Sequence, residues 1–125
     1  MKLINDFFEI VSKESAEDTL RCKVRLNPEH YIYKAHFPGN PVTPGVCLVQ
    51  MAAEILGEEY GKPFMLTLLK NIKFRKIVKP EDEPTFVFTK MAFEGDQFST
   101  IVSIEDEETQ YVKMSLQYMC DHSNV

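Results

Sequence analysis

Three prolines within seven residues, Pro38, Pro41 and Pro44, lead directly into an apolar stretch from Val46 to Leu56, and this pairing restricts the chain more than any other part of it. Each proline holds φ near −65° and removes an amide donor. The loop from His36 to Thr43 is therefore stiff, with Gly39 supplying freedom where the backbone must bend, and His36 is expected in a preset position. Thr43 is a good N-cap, Pro44 fits the first helical position, and Gly57 followed by Gly61-Lys62-Pro63 stops a helix. The pattern predicts a helix from about Pro44 to Tyr60.

From Val46 to Leu56 only Gln50 and Glu54 interrupt the apolar residues, and a spacing of four puts them on one face. A helix apolar on nearly every side is expected to be buried. Its first amides, those of Gly45 and Val46 among them, carry partial positive charge and suit a carbonyl oxygen that becomes negative during a reaction. Gly45 has no side chain to obstruct that approach.

The rest of the chain reads as strands. Leu20, Cys22, Val24 and Leu26 alternate with Arg21, Lys23 and Arg25, and Val112, Met114, Leu116, Tyr118 and Cys120 repeat the pattern near the C-terminus. Segments near Phe7 to Ser12, Met65 to Ile77, Thr85 to Phe93 and Gln97 to Ile104 are β-rich, with turns at Glu94-Gly95-Asp96 and Glu105 to Glu108. Short connections make the later strands antiparallel. One long helix and about six strands predict an α+β domain over residues 1–125, its sheet curled around the helix.

A chain of 125 residues with 44% hydrophobic and 26% charged residues has ordinary globular composition. Asn5, Asp6 and Glu9 interrupt the first ten residues, and no apolar run is long enough for a membrane span, so a cytoplasmic location is expected. The net charge of −5 argues against general binding to nucleic acid or membrane surfaces. Locally the balance reverses: Lys70, Lys73, Arg75, Lys76 and Lys79 fall in a stretch without acids. Such a run is either a solvated strand face or a docking patch for an acidic partner. Cys22, Cys47 and Cys120 are odd in number and lack metal spacing; buried free thiols are expected, with no metal or cofactor. His30 and His122 carry no motif and read as surface or satisfied core residues.

The run His-Phe-Pro-Gly-x-Pro-x-x-Pro-Gly-Val from His36 to Val46, with Asn27 and Glu29 upstream and Phe74 to Pro80 downstream, resembles the β-hydroxyacyl-(acyl carrier protein) dehydratases of the hot-dog fold. That resemblance implies a homodimer whose sheets join edge to edge, with a site at the interface and larger assemblies left open. It implies removal of water from a 3-hydroxyacyl thioester carried on acyl carrier protein or coenzyme A. His36 would be the base, and the amides of Gly45 with Gly39 or Val46 would face the thioester oxygen in a pocket bordered by Phe37. Lys73, Arg75 and Lys76 would dock the carrier protein.

The sequence departs from the family at one position. Fourteen residues after the histidine the family places a catalytic acid, and here Gln50 stands there. A neutral amide forms hydrogen bonds but does not hand over a proton as a carboxylic acid does. Glu54, one helical turn further along, is a candidate substitute. Three functions follow: a dehydratase with an altered acid position, a non-catalytic acyl-carrier binder or partner subunit, and a thioesterase relying on Glu54.

Overall fold

Strand alternation and one long helix dominate the computed structural model, which describes residues 2–120. Among these, strands β1 (Phe8–Ser15), β2 (Leu20–Leu26), β3 (Phe64–Phe74), β4 (Thr85–Glu94), β5 (Gln97–Glu105) and β6 (Gln110–Cys120) form one antiparallel sheet in the order β1-β2-β4-β5-β6-β3. The α+β architecture expected from the sequence is the one found. His122 lies outside the described residues.

Alternation decides the faces. Leu20, Cys22, Val24 and Leu26 are buried while the residues between them are exposed, and Val112, Met114, Leu116, Tyr118 and Cys120 are buried on β6. The β4–β5 hairpin closes through Gly95, whose φ of 61° takes the left-handed turn that L side chains resist.

Helix α2 (Gly45–Tyr60) lays Cys47, Leu48, Met51, Ala52, Ile55 and Leu56 on the core, pairs of neighbours repeated every four residues. Among these the larger side chains, Leu48, Met51, Ile55 and Leu56, each stabilise by about 1.5–3 kcal/mol when fully buried. The expectation of a helix covered on every side is not met within one chain. Val46 is 79% exposed, and Gln50, Ala53 and Glu54 are only partly covered, because a single sheet shields one side of the cylinder.

Both helix ends are informative. The N-cap is Pro44 rather than Thr43: the Thr43 hydroxyl is instead hydrogen bonded to the Tyr33 hydroxyl at 2.8 Å, and its amide donates to the Val78 carbonyl at 2.7 Å. Gly57 stays within the helix. The stop is Gly61, with φ 67° and its amide on the Gly57 carbonyl at 2.9 Å.

A short helix, α1 (Tyr31–Ala35), precedes the proline loop. Its cap is His30, 5% exposed, whose Nδ1 accepts the Ile32 amide at 3.2 Å. The other ring nitrogen then carries the proton and donates to Asp6 Oδ2, also at 3.2 Å. His30 is thus a satisfied structural residue, and it aims α1 so that His36 follows as the C-cap.

Candidate active site

The proline loop is held at both ends. The His36 amide donates to the Ile32 carbonyl at 3.0 Å, and the Asn40 amide to the Phe37 carbonyl at 2.9 Å. The left-handed residue of the bend is Phe37, with φ 55°, and not Gly39. A bulky L residue there costs on the order of 1–2 kcal/mol and persists only where the surroundings over-determine it. Phe37 is also 66% exposed. An apolar side chain is therefore presented to the outside on a strained, fixed backbone.

At the start of α2 the Cys47 and Leu48 amides share the Pro44 carbonyl, at 3.0 and 3.3 Å, while those of Gly45 and Val46 precede the helical hydrogen-bond ladder. A side chain at Gly45 would meet the Phe74 ring at 3.1 Å, so the space kept free by glycine is roofed by an aromatic ring. Phe74 is itself 61% exposed. Phe37, Val42, Gly45, Leu48, Phe74 and Val112 form the apolar walls of a groove of about 460 Å³, with Arg75 and Lys76 at its rim.

A second groove, of about 520 Å³, runs along the outer face of α2 and is lined by Gln50, Ala53, Glu54, Gly57, Ile4 and Phe64 among others. Gln50 Nε2 donates to Glu54 Oε2 at 2.7 Å. Glu54 also accepts the amides of Leu3, shared between its two oxygens, and of Ile4, so three donors reach its carboxylate. In each of these contacts a Glu54 oxygen is the acceptor.

His36 is exposed and borders neither groove. One chain thus brings Gln50 together with Glu54, and Phe37 together with Gly45, but it does not bring His36 and Gln50 into a common cavity. Two features of this region carried no clear sequence signal. The N-terminal segment reaches Glu54 from fifty residues away, and Phe74 covers Gly45 from the end of β3.

Lys70, Lys73, Arg75, Lys76 and Lys79 are all exposed. None of the ion pairs among the described residues uses them. Arg75 Nε donates to Gln110 Oε1 at 3.0 Å, and Lys76 stands 5.8 Å from the Tyr111 ring centre, so two of the five are oriented by neutral groups.

The cysteines are free and buried. Burial pushes the Cys22 thiol up to about 11 and raises those of Cys47 and Cys120, which keeps all three protonated and unreactive at neutral pH. Among the described residues no group of His, Cys, Asp and Glu is placed to hold a metal ion, and no helix is long and apolar enough to cross a membrane.

Comparison with known proteins agrees with this architecture. A 3-hydroxyacyl-(acyl-carrier-protein) dehydratase FabZ from Lactiplantibacillus plantarum is 47% identical over 83 residues, covering 61% of this chain and 56% of that protein. The chain spans rather more than half the length of the curated relatives it matches. Among solved structures, the dehydratase heterocomplex ApeI:P from Xenorhabdus doucetiae superposes with a TM-score of 0.65 at 13% identity, covering 88% of this chain and 96% of that one. A hypothetical thioesterase with coenzyme A from Streptococcus pneumoniae gives 0.63 at 15% identity, over 94% and 90% of the two chains. These two similarities establish the hot-dog fold. The sequence profile described as ApeI dehydratase matches residues 12–115, most of the chain, and the chain therefore belongs to the ApeI-like dehydratase family.

Proposed function

We propose that the chain is a 3-hydroxyacyl-thioester dehydratase whose site forms between two copies. The observation that carries this reading is the fixed loop: Phe37 is held in a left-handed conformation between His36 and the amides that open α2. The β3 edge supports pairing. Met65, Leu66 and Leu68 are exposed along this unpaired outer strand, whereas β1 at the other edge carries Glu9, Lys13 and Glu14. Charges protect an edge, and an apolar edge invites a partner strand. In the homodimer His36 of one copy meets Gln50 of the other.

The chemistry must run without an acid at Gln50. His36 removes the C2 proton, the thioester oxygen gains negative charge opposite the Gly45 and Val46 amides, and the C3–O bond breaks as the C2–C3 double bond forms. Gln50 orients the C3 hydroxyl, and protonated His36 returns its proton to the departing hydroxide, which leaves as water. The acyl group arrives on acyl carrier protein, docked at Lys73, Arg75 and Lys76, or on coenzyme A. Such a soluble thioester substrate is consistent with a cytoplasmic location.

A second reading is favoured by the same Gln50: the chain is a non-catalytic acyl-carrier-binding subunit whose partner supplies the proton donor, as a heterocomplex would allow. The thioesterase reading needs a free carboxylate, and the Glu54 oxygens are already engaged. Incubation of the pure protein with 3-hydroxyacyl and 2-enoyl thioesters tests all three. Interconversion of these substrates is expected; tight acyl-carrier binding without turnover would favour the subunit, and release of free acid the thioesterase.

A further inference from the structure

The proline loop leaves α1 and enters α2, and a bond between two buried hydroxyls closes it. Tyr33 Oη and Thr43 Oγ1 stand 2.8 Å apart, in residues that are 2% and 7% exposed. Between them lie the His36 C-cap of α1, the left-handed Phe37, Pro38 and Pro41; directly after Thr43 come Pro44 and the amides of Gly45 and Val46. Each partner of the bond is anchored on the body of the domain. The Thr43 amide donates to the carbonyl of buried Val78 at 2.7 Å, and the Tyr33 ring stacks on buried Phe7, with centres 5.1 Å apart and planes at 24°. Tyr33 also belongs to the turn of α1 whose Ile32 carbonyl holds the His36 amide at 3.0 Å. Burial pushes the Tyr33 hydroxyl up to about 12, so the bond persists unchanged across the neutral range.

We propose that Tyr33 is a positioning residue: its bond to Thr43 clamps both ends of the proline loop to one scaffold and so fixes where each chain presents His36 and the amides of Gly45 and Val46. This inference rests on the dehydratase reading, in which His36 and those amides act on the substrate. Proline fixes φ alone, so a loop stiffened by prolines still swings about its ends. A hydrogen bond removes that freedom because it has a preferred length and direction, whereas apolar contact has neither. Displacing reacting groups by about 1 Å costs on the order of a hundredfold in rate.

The test is a double-mutant comparison on the full chain. Tyr33→Phe keeps the ring and its stack on Phe7 but leaves the Thr43 hydroxyl buried without this partner, and Thr43→Val does the reverse. Each single variant should melt below wild type. Combining the two removes both hydroxyls and leaves an apolar contact, so the melting temperature should return close to wild type. Turnover should not return with it. Hydration of 2-butenoyl-coenzyme A by the double variant should stay about tenfold or more below wild type in kcat, with KM within about twofold. Recovery of kcat together with the melting temperature would overturn the proposal, since it marks a purely structural pair.

A ligand-free measurement separates this proposal from the reading beneath it. The Asn40 and Thr43 amides are hydrogen bonded within and beside the loop, while Met114 and Leu116 on β6 report opening of the whole sheet. In the double variant, hydrogen exchange at Asn40 and Thr43 should quicken by about tenfold relative to Met114 and Leu116. If the wild type hydrates no thioester but this selective quickening is seen, the dehydratase reading fails and the clamp stands. If exchange in the loop rises no more than on β6, the clamp itself is wrong, whatever the turnover.

Discussion

Gln50 Nε2 lies 2.7 Å from Glu54 Oε2, one helical turn apart on the outer face of α2. The amide therefore fills a place where a carboxyl group would sit in contact with another carboxyl group. Two carboxylates at that distance cannot both ionise; they share a proton and titrate as a pair.

Gln50→Glu should create such a pair. Its higher pKa is raised above the unfolded carboxyl value of about 4.3, so the folded state holds a proton that the unfolded chain releases. The sign is then set: relative to wild type the variant matches it near pH 4 and loses stability as pH rises, by about 1–3 kcal/mol at pH 8. Denaturant midpoints at the two pH values measure this, and a pH-independent difference would refute the shared proton. The retained proton is also an acid for catalysis, so dehydration should rise at neutral pH and fall as the pair ionises. Gln50→Glu combined with His36→Ala should be inactive.

His36 is exposed, and its amide rather than its ring holds the α1 end. Removing the ring should leave stability within about 0.5 kcal/mol of wild type. Dehydration should nevertheless fall by about 10² to 10⁴, the usual contribution of a positioned proton acceptor. Thermal melting and steady-state turnover on the same His36→Ala preparation separate the two effects. A variant that melts normally and still turns over at the wild-type rate would remove His36 from the chemistry.

The fold was legible because its signals are local. Alternation in Leu20 to Leu26 and Val112 to Cys120, and the run from Val46 to Leu56, assign faces without knowledge of partners. Cap chemistry was less legible: Thr43 has the side chain of an N-cap, but the buried Tyr33 hydroxyl uses it instead. The motif marked His36 and Gln50, yet no local pattern says that Leu3 and Ile4 return to Glu54, because any carboxylate can receive a free backbone amide. Nor does the sequence show that Phe74 roofs Gly45, a contact made only once β3 has paired with β6.

Glu59 links α2 to β1 through Lys13 at 2.9 Å and the Ser15 hydroxyl at 2.8 Å. The hydrogen bond from Lys13 is the main cause that lowers the Glu59 pKa below its ordinary value, despite some opposing burial. A lowered carboxylate pKa contributes stability above the unfolded value and loses it as pH falls through the folded value. Glu59→Gln should therefore cost about 0.5–1 kcal/mol at pH 7, the modest amount expected of a partly solvated pair, and almost nothing at pH 3. Urea midpoints at both pH values check it; an equal cost at pH 3 would assign the loss to packing.

The five basic residues from Lys70 to Lys79 form no ion pair with a carboxylate among the described residues. Arg75 and Lys76 also flank the groove that contains Gly45. An acidic carrier protein delivering a thioester to that groove would pass these side chains, and attraction between exposed charges is screened over about 10 Å at 0.1 M salt. Carrier-protein affinity should thus fall as salt rises, mainly through slower association. Replacing Lys73, Arg75 and Lys76 together by glutamate should weaken binding by about tenfold or more at low salt, with the gap to wild type closing at high salt. Turnover of a coenzyme A thioester at saturating concentration supplies the control, since it does not depend on docking a protein. Equal carrier affinity for the wild type and the triple variant at low salt would reduce the strip to a solvated face, and an equal loss on both substrates would place these residues at the small-molecule end of the groove instead.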